Sequence, residues 1–408
     1  MRRPTIAAWL LVAAVGGYLA FEDALWRVPM PAGVPTVPIL AVVVFLVALA
    51  TIMATGRLEP VVVLAAMAIV ASLLFDATFF EGAAFRDLGI YLKAGLHFRL
   101  GQPVYLDGLV TALPADPTSY PYLYPPPTLP FAALLSLLPR WLVTLGWEAG
   151  LLAGALAGLR LLGLGWGWCA VLLAWPPFAQ GLYVGNVSIL VFLLFAAGPW
   201  IGSGLLVGGL FKPQGAIAGL WLVRERRWRA IAIGLLILVG LAVVTLPLTG
   251  LDQWPAWLDG LAWFSRSQPF VPRTFYGLAL EEYLPWVVAL VAAVVVFGLA
   301  LLGRGRAGLA RLGVATVVGS PSLYAHGFTV ALPALLELRA LAFWTAIALT
   351  SVSGGLTWFG ALAIVVAAWF LPILRRSTEL VPGAEDQLHP LAGQVGPWPD
   401  VGAEPDQG

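Results

Sequence analysis

Three side chains of this sequence have the types and surroundings that chemistry requires: Asp87, Lys212 and His326. Asp87 lies in the segment FRDLGIYLKAG, and an aspartate beside a hydroxyl group can act as a general base. Lys212 lies in the apolar stretch GGLFKPQGAIAGL, where an ionised side chain is costly and usually faces a cavity or an anionic partner. His326 ends the segment SPSLYAH and is one of three histidines. A phosphate group is a natural partner for the ammonium of Lys212, and Asp87 and His326 are expected to meet over one cavity.

Each of these residues also has a structural interpretation, which the sequence leaves open. Asp87 is also explained as an ion-paired carboxylate at the membrane boundary. Lys212 is also explained as a side chain that reaches back to the interface or forms a structural ion pair. A single histidine such as His326 is more often structural than catalytic, and its predicted position on the same side as Asp87 favours a shared cavity.

Tyrosines follow Asp87 in the next part of the chain. Tyr91 comes four residues after Asp87, so the two side chains share one stripe of a helix. Tyr124 lies in YPYLYPPP, whose prolines predict an extended chain that enters a helix near Thr128. The functional interpretation is a row of tyrosines on the outer surface, where a sugar stacks or forms hydrogen bonds. The alternative is a rigid helix entry with no role in binding.

Arg266 and Arg273 are the basic residues of a second polar segment, which runs from 251 to 284 and is rich in tryptophan and phenylalanine. Cations beside interfacial aromatic rings are expected where a lipid phosphate headgroup binds, or where an aromatic belt carries counter-charges.

The sequence contains no zinc pattern, no P-loop and no dinucleotide fingerprint. The single Cys169 lies in an apolar run, so no disulfide framework and no cysteine metal site are expected. The carboxylates of the first polar segment never form an Asp-x-Asp pair, and they are Asp76, Glu81, Asp87, Asp107 and Asp116. We therefore predict that neither a cofactor nor a metal is needed. The motif Gly185-Asn186-Val187 is too short to indicate a function alone.

The elements that must position these residues are membrane helices. Hydrophobic residues make up 60% of the 408 positions and charged residues only 11%, whereas soluble domains carry about 25% charged residues. Recurrent apolar runs predict an all-α, polytopic bundle of roughly 11–14 spans, some of them broken or re-entrant. The net charge of +1 gives no reason to expect a nucleic-acid partner.

The distribution of arginine predicts how the bundle is oriented. We expect a membrane domain over 1–375 and a disordered cytoplasmic tail over 376–408. Segments 76–127 and 251–284 are expected outside, the first with an interfacial helix over 83–100 whose apolar side faces the lipid. The cytoplasmic arginines are then Arg2, Arg3, Arg57, Arg140, Arg224, Arg226, Arg227, Arg229, Arg304, Arg306, Arg311, Arg339, Arg375 and Arg376. Arg160 disagrees, which one miscounted span between 127 and 201 explains.

The order of several short motifs resembles glycosyltransferase family 87, a family of membrane mannosyltransferases. The motifs are Asp-Leu-x-x-Tyr (87–91), GQPVY (101–105), YLYPPP (122–127), GNVSILVFLL (185–194), LFKPQ before the arginine-rich turn, and SPSLYAH (320–326). Each motif is weak alone, and their order over about 76–338 is fairly specific. Members of the family typically have one span before the loop that carries the aspartate. This chain departs from that pattern, because two extra apolar runs precede Asp87.

This resemblance implies a GT-C type fold whose active site faces the extracytoplasmic side. It implies a polyprenyl-phosphate sugar donor, with mannose as the sugar, and a glycolipid or polysaccharide acceptor in the cell envelope. By position, Asp87 is then the general base of an inverting transfer, while Lys212, Arg266 or Arg273 contacts the donor phosphate. His326 matches the family's histidine and orients the acceptor or contacts the phosphate. Arabinofuranose is an alternative sugar.

Two further classes of function fit the hydrophobicity. A lipid or sugar transporter, such as a flippase, predicts polar residues along a path through the bilayer and an internal repeat. The sequence shows no repeat, and its polar residues cluster at one face, which favours catalysis. A membrane scaffold for other enzymes would leave Asp87 dispensable.

Overall fold

The computed structural model of the protein describes residues 85–105, 122–173, 175–267, 280, 284–320, 324–350 and 355–374. Within these ranges every regular element is a helix, which confirms the predicted all-α class there. Several predictions lie outside the described residues: the spans before 85, the helix start at 83, Arg273 and the tail over 376–408.

The α-helices are numbered here along the described part of the chain. They are α1 (Arg86–Arg99), α2 (Leu129–Leu135), α3 (Arg140–Leu161), α4 (Trp166–Leu173), α5 (Pro176–Val184), α6 (Ser188–Ala197), α7 (Ser203–Phe211), α8 (Leu220–Arg224), α9 (Trp228–Thr249), α10 (Gln253–Ser267), α11 (Trp286–Leu301), α12 (Gly305–Val318), α13 (Leu332–Leu335), α14 (Ala340–Leu349) and α15 (Gly355–Ala368). Tighter 3-10 helices cover Pro126–Thr128, Pro213–Gly219, Ala325–Ala331 and Pro372–Leu374.

Two of these helices, α3 and α9, are long and apolar enough to cross a membrane. Each has 22 residues, which at about 1.5 Å per residue matches a hydrocarbon layer of about 30 Å. Other apolar helices of the described part are shorter, such as α6 and α11. The result is a helical protein with membrane-compatible segments, several of them broken, as the frequent glycine and proline residues predict.

A core of aromatic and aliphatic side chains holds the short helices together. Phe178 packs edge-on against Phe192, with ring centroids 4.8 Å apart. Phe328 packs in the same way against Trp175 and Trp358, at 6.0 Å and 5.1 Å. All five side chains are buried, so segments far apart in sequence are fixed relative to one another.

Helix α1 ends where the sequence predicts, because Gly101 follows it with a positive φ of 65°. Its buried stripe differs from the predicted one and contains Asp87, Leu88, Tyr91, Ala94 and Gly95. Leu88, on the apolar side that was expected to face the lipid, is buried, whereas Leu96 on the same side is 43% exposed. The prediction is wrong for Leu88 because α1 packs against α2 and α5 on that side.

Helix α2 has only seven residues, a rise of about 10 Å, and cannot cross a membrane. It packs against α1, where a Cβ on Gly95 would meet the backbone of Ala132 and Ala133. Arg99 Nη1 donates to the carbonyl oxygen of Ser136 at 3.2 Å and fixes the end of the pair. The apolar run at 127–138 is therefore not a span.

The arginine-rich turn after α8 is tied to the start of α12. Trp221 Nε1 donates to the carbonyl oxygen of Gly305 at 2.7 Å, and the Gly305 backbone N–H donates to Glu225 Oε1 at 2.8 Å. Arg227 Nη1 donates to the carbonyl oxygen of Pro199 at 2.7 Å, just after α6. These contacts bring the turns at 199–202, 224–229 and 302–305 to one end of the bundle, which we call the arginine end.

Arg160 also lies toward the arginine end. A Cβ on Gly154 would contact Leu190 and Leu193, and one on Gly158 would contact Phe192. Helices α3 and α6 therefore run in the same direction, and α6 ends near Pro199. Arg160 thus lies at the same end of the described helices as the other arginine-rich turns, whereas Arg140, at the start of α3, lies at the opposite end.

Candidate functional site

Asp87 lies at the first turn of α1, opposite the arginine end, with both carboxylate oxygens bonded. Arg86 Nε donates to Oδ1 at 3.0 Å, and Asn186 Nδ2 donates to Oδ2. The residue is only 6% exposed. The ion pair and the amide allow this carboxylate to be buried.

The start of α1 is held in a strained conformation. Phe85 has φ 62°, a left-handed value that is unfavourable for a bulky residue. Its backbone N–H donates to the carbonyl oxygen of Tyr183 at 2.9 Å, and its own carbonyl accepts from Gly89 at 2.8 Å. Such strain next to Asp87 is typical of sites where geometry matters more than local stability.

Asn186 reaches Asp87 from the turn between α5 and α6. Helix α5 ends at Gly185 with φ 71°, and the Asn186 N–H donates back to the carbonyl oxygen of Gly181 at 2.8 Å. The Asn186 Oδ1 atom accepts from the backbone N–H and the hydroxyl of Ser188, at 2.8 Å and 2.7 Å. The side-chain amide is therefore fixed at both ends.

His326 enters the same cluster from the 3-10 helix Ala325–Ala331. Its Nδ1 lies 3.0 Å from Ser188 Oγ, and its Nε2 lies 4.0 Å from Asp87 Oδ2. The His326 backbone N–H donates to Gln180 Oε1 at 3.1 Å. A Cβ on Gly181 would lie 3.2 Å from His326 Cβ, so the close approach of α5 requires glycine there.

Lys212 follows α7 as an extended residue with φ −146°, because Pro213 cannot continue the helix. Its Nζ lies 3.5 Å from His326 Nδ1, at the outer limit of a hydrogen bond. An apolar cleft opens within one turn of it, lined by Val191, Leu194, Phe195, Gly204, Leu205, Gly208, Gly215, Ala218, Thr316 and Val330. The three residues singled out by the sequence thus meet in one place.

The tyrosines form a bonded cluster beside Asp87 and not a row on the surface. Tyr91 and Tyr124 share a hydrogen bond of 2.8 Å between their hydroxyls, and Tyr105 donates to the carbonyl oxygen of Tyr124 at 2.7 Å. Tyr122 and Thr128 share another of 2.6 Å. The expectation of an outer stacking surface is wrong for Tyr122, which is buried.

Burial raises the pKa of Tyr91 and Tyr124 above the usual range, and the negative charge of Asp87 raises the pKa of both further. Both phenols therefore stay protonated at physiological pH. The Tyr91 hydroxyl also accepts a weak contact of 3.5 Å from the Val187 backbone N–H. The cluster supplies neutral hydroxyl groups next to the carboxylate.

Two tryptophans connect this cluster to neighbouring helices. Trp147 Nε1 in α3 donates to the carbonyl oxygen of Gly185 at 2.8 Å, and its ring packs against Tyr91 at 5.5 Å. Trp257 Nε1 in α10 donates to the carbonyl oxygen of Leu123 at 3.0 Å. Helix α10 also contains Arg266, whose side chain is outside the described part.

Sequence reasoning missed Asn186, Ser188 and Gln180, which hold Asp87 and His326 in place. The available signal was weak: a polar Asn-x-Ser directly after a helix-ending glycine, inside an otherwise apolar stretch. Among the described residues, no group of three His, Cys, Asp or Glu side chains has a metal-binding arrangement. The cluster instead combines a carboxylate, an imidazole and an ammonium, which suits proton transfer coupled to departure of an anionic group.

The chain is similar to a characterised enzyme of Mycolicibacterium smegmatis, the polyprenol-phosphate-mannose-dependent alpha-(1-2)-phosphatidylinositol pentamannoside mannosyltransferase. The two are 32% identical over 197 residues, which is 43% of this chain and 46% of the relative. The match thus spans less than half the length of that enzyme. No solved structure matches the chain.

The sequence profile of glycosyltransferase family 87 matches residues 122–323, about half of the chain. This region contains Asn186, Ser188 and Lys212, and it ends just before His326. The chain therefore belongs to glycosyltransferase family 87 over these residues, and the family predicted from its motifs is confirmed.

Proposed function

We propose that this protein transfers mannose from a polyprenyl-phosphate donor to a glycolipid of the cell envelope, such as a phosphatidylinositol mannoside. The observation that carries the proposal is that Asp87 and Lys212 meet at the imidazole of His326. Asp87 Oδ2 lies 4.0 Å from His326 Nε2, and Lys212 Nζ lies 3.5 Å from His326 Nδ1. The similarity to a polyprenol-phosphate-mannose-dependent enzyme supports the choice of donor and acceptor.

Asp87 is the proposed general base. The acceptor oxygen attacks the anomeric carbon of the donor while its proton passes to Asp87 Oδ2, the oxygen that faces His326. The new glycosidic C–O bond forms as the bond to the phosphate oxygen breaks, and the electron pair leaves with the polyprenyl phosphate. Single displacement inverts the anomeric centre, so a β-linked donor gives an α-linked product.

Lys212 is the proposed contact for the leaving phosphate. Its ammonium lies beside the imidazole, and Gly208 and Gly215, which flank Lys212 in the sequence, line a small apolar cleft. A phosphate carried on a hydrocarbon chain requires this combination of a cation and an apolar neighbour. A fixed cation stabilises the negative charge that develops on the leaving oxygen.

We propose that the protein crosses the membrane several times, with a GT-C type fold and an extracytoplasmic site. The described helices separate the cluster of Asp87 from the arginine end, where Glu225 and Trp221 bind Gly305. Cytoplasmic ends of membrane proteins are enriched in arginine, so the opposite end faces outward.

Two alternatives make different predictions. Arabinofuranose in place of mannose would use the same groups, so only substrate tests separate the two sugars. A transporter would need polar side chains along a path through the bilayer. Lys212 and His326 instead meet beside Asp87 in one cluster, which favours transfer.

The decisive experiment uses purified protein with a phosphatidylinositol mannoside acceptor and no other membrane protein. We expect radiolabelled polyprenyl-phosphate-mannose to give a lengthened glycolipid with inverted configuration. Turnover with GDP-mannose alone would refute the lipid-donor proposal, and turnover with only the arabinofuranosyl donor would change the sugar. Movement of labelled lipid across the liposome bilayer, without transfer of mannose to the acceptor, would favour the transporter.

We also expect transfer to require no divalent metal. Both oxygens of Asp87 accept hydrogen bonds from protein groups, whereas a hard cation usually needs several free oxygen ligands. Activity lost in EDTA and restored by magnesium or manganese would contradict this expectation.

A further inference from the structure

The two halves of the candidate site are joined through two neighbouring residues, Asn186 and Ser188. Asn186 binds Asp87 through Nδ2, and Ser188 Oγ lies 3.0 Å from His326 Nδ1. Asn186 and Ser188 also bind each other, through the hydroxyl contact of 2.7 Å. Residues 87 and 326 therefore depend on a single short turn for their relative position.

The direction of each hydrogen bond follows from the chemistry of the groups. An ionised carboxylate only accepts, so the Asn186 nitrogen must face Asp87 and its oxygen must face Ser188. That oxygen also only accepts, so the Ser188 hydroxyl donates its one proton to it at 2.7 Å. The Ser188 oxygen then accepts from His326, which requires the proton on Nδ1.

This assignment leaves a lone pair on His326 Nε2, facing Asp87 Oδ2 at 4.0 Å. Two acceptors that face each other need one donor each, and two neighbouring hydroxyl groups would supply them. It also leaves Lys212 without a hydrogen bond to Nδ1, since both groups are then donors. The ammonium stays available for an anion.

We infer that Asn186 and Ser188 are positioning residues which hold Asp87 and His326 as one acceptor-binding unit. Ser188 keeps His326 in the tautomer that is protonated on Nδ1. The unit therefore accepts two hydrogen bonds, which fits a vicinal diol of a sugar: the reacting hydroxyl binds Asp87 and its neighbour binds His326. This role in binding rests on the proposed function, whereas the tautomer does not.

The tautomer is tested by nitrogen NMR of the full chain in lipid bilayers. The protein has three histidines, so His97→Gln with His389→Gln leaves His326 as the single labelled ring. We expect a protonated Nδ1 and a lone pair on Nε2, which is identified by its coupling to both ring C–H protons. A proton on Nε2, or on both nitrogens at neutral pH, would overturn the inference.

Ser188→Thr and Ser188→Val form a matched pair, because they add the same bulk and differ in the hydroxyl. We expect Ser188→Thr to keep the tautomer and Ser188→Val to shift protons toward Nε2. An unchanged spectrum in Ser188→Val would show that Ser188 does not set the tautomer. These spectra decide the point even if the protein transfers no mannose.

Steady-state kinetics test whether the acceptor binds through a vicinal diol. Ser188→Val should raise the acceptor KM about tenfold, as expected for one lost hydrogen bond of about 1.4 kcal/mol, with the donor KM unchanged. An acceptor that lacks the hydroxyl beside the reacting one should bind the unsubstituted protein more weakly than the complete acceptor does. For Ser188→Val, the two acceptors should differ little in affinity. An equal loss of acceptor affinity in both proteins, or an equal rise in the donor KM and the acceptor KM of Ser188→Val, would show that Ser188 has only a structural role.

Discussion

At the scale of single residues, Asp87 is unusual because it is buried and yet bonded at both oxygens. Arg86 balances its charge at 3.0 Å, and Asn186 orients the oxygen that faces His326. A carboxylate held in this way has a fixed orientation relative to His326. Its environment matches a base that is positioned in advance.

We predict that Asp87→Asn abolishes mannosyl transfer and leaves expression and detergent stability intact. Loss of a general base typically lowers the rate by about 10²–10⁴-fold, and the amide is the same size as the carboxylate. Asp259→Asn, which changes an exposed carboxylate on α10, is the matched control and should keep full activity. More than half of the activity remaining in Asp87→Asn would remove Asp87 from the mechanism.

We predict that Lys212→Ala raises the apparent KM for the lipid donor more than the KM for the acceptor. The ammonium lies 3.5 Å from His326 Nδ1 and is the cation proposed to contact the phosphate of the lipid donor. Steady-state kinetics with each substrate varied in turn measures the split, and Lys212→Arg should recover part of the donor affinity. A larger change in the acceptor KM would place Lys212 on the acceptor side.

At the scale of elements, the site depends on how closely α1 approaches α2 and α5. Gly95 allows contact with the backbone of α2, and Gly181 allows contact with His326. Helix α2 is too short to span a membrane, and it supports α1 from the side. These close approaches place Asp87 relative to the turn that carries Asn186.

We predict opposite effects for two glycines of α1. A Cβ on Gly95 would meet the backbone of Ala132 and Ala133, whereas a Cβ on Gly89 has nothing within 4 Å. Gly95→Ala should cost about 1–3 kcal/mol through overpacking, and Gly89→Ala should be neutral or stabilise the helix by up to about 1 kcal/mol. Thermal unfolding in detergent and activity measure both effects. Equal behaviour of the two variants would contradict this packing.

The sequence predicted those features that have a strong local cause. Gly101 ends α1 and Pro213 ends α7 because their backbones cannot continue a helix. Asp87, Lys212 and His326 were identified because ionisable groups are rare in apolar surroundings. Asn186 and Ser188 were missed because their partners are 99 and 138 residues away, and only tertiary packing reveals such contacts.

The buried face of α1 shows the same limit. Periodicity favoured a lipid-facing apolar side, but Leu88 on that side is buried in the structure, and so is Asp87. The helix packs through Ala94 and Gly95 because small side chains permit close contact, and hydrophobicity alone does not detect this. The arginine distribution predicted two distinct ends, and it misplaced Arg140 because the apolar run that contains α2 was counted as a span.

At the scale of the whole molecule, the helices separate a polar cluster at one end from the arginine end at the other. Helices α3 and α6 run between them in the same direction, and the turn near Pro199 binds Arg227. This polarity underlies the proposed orientation in the membrane. It also predicts from which side each end can be labelled.

We predict that single cysteines report opposite sides in a Cys169→Ser background. Leu100→Cys lies just after α1 at a 60% exposed position, and Trp228→Cys lies at the arginine end at a position of equal exposure. An impermeant thiol reagent should label Leu100→Cys on intact cells and Trp228→Cys only after permeabilisation. The reverse pattern, or equal labelling, would contradict the orientation.

The long separation between Ser188 and His326 also has a consequence for synthesis. The ribosome completes the turn that binds Asp87 well before it reaches the histidine, since 138 residues separate Ser188 from His326. At about 5–20 residues per second, that interval lasts roughly 7–28 seconds. During this time the nascent chain holds a carboxylate with its amide partner and lacks the imidazole. The newly synthesised enzyme therefore stays inactive until most of its helices have left the translocation machinery.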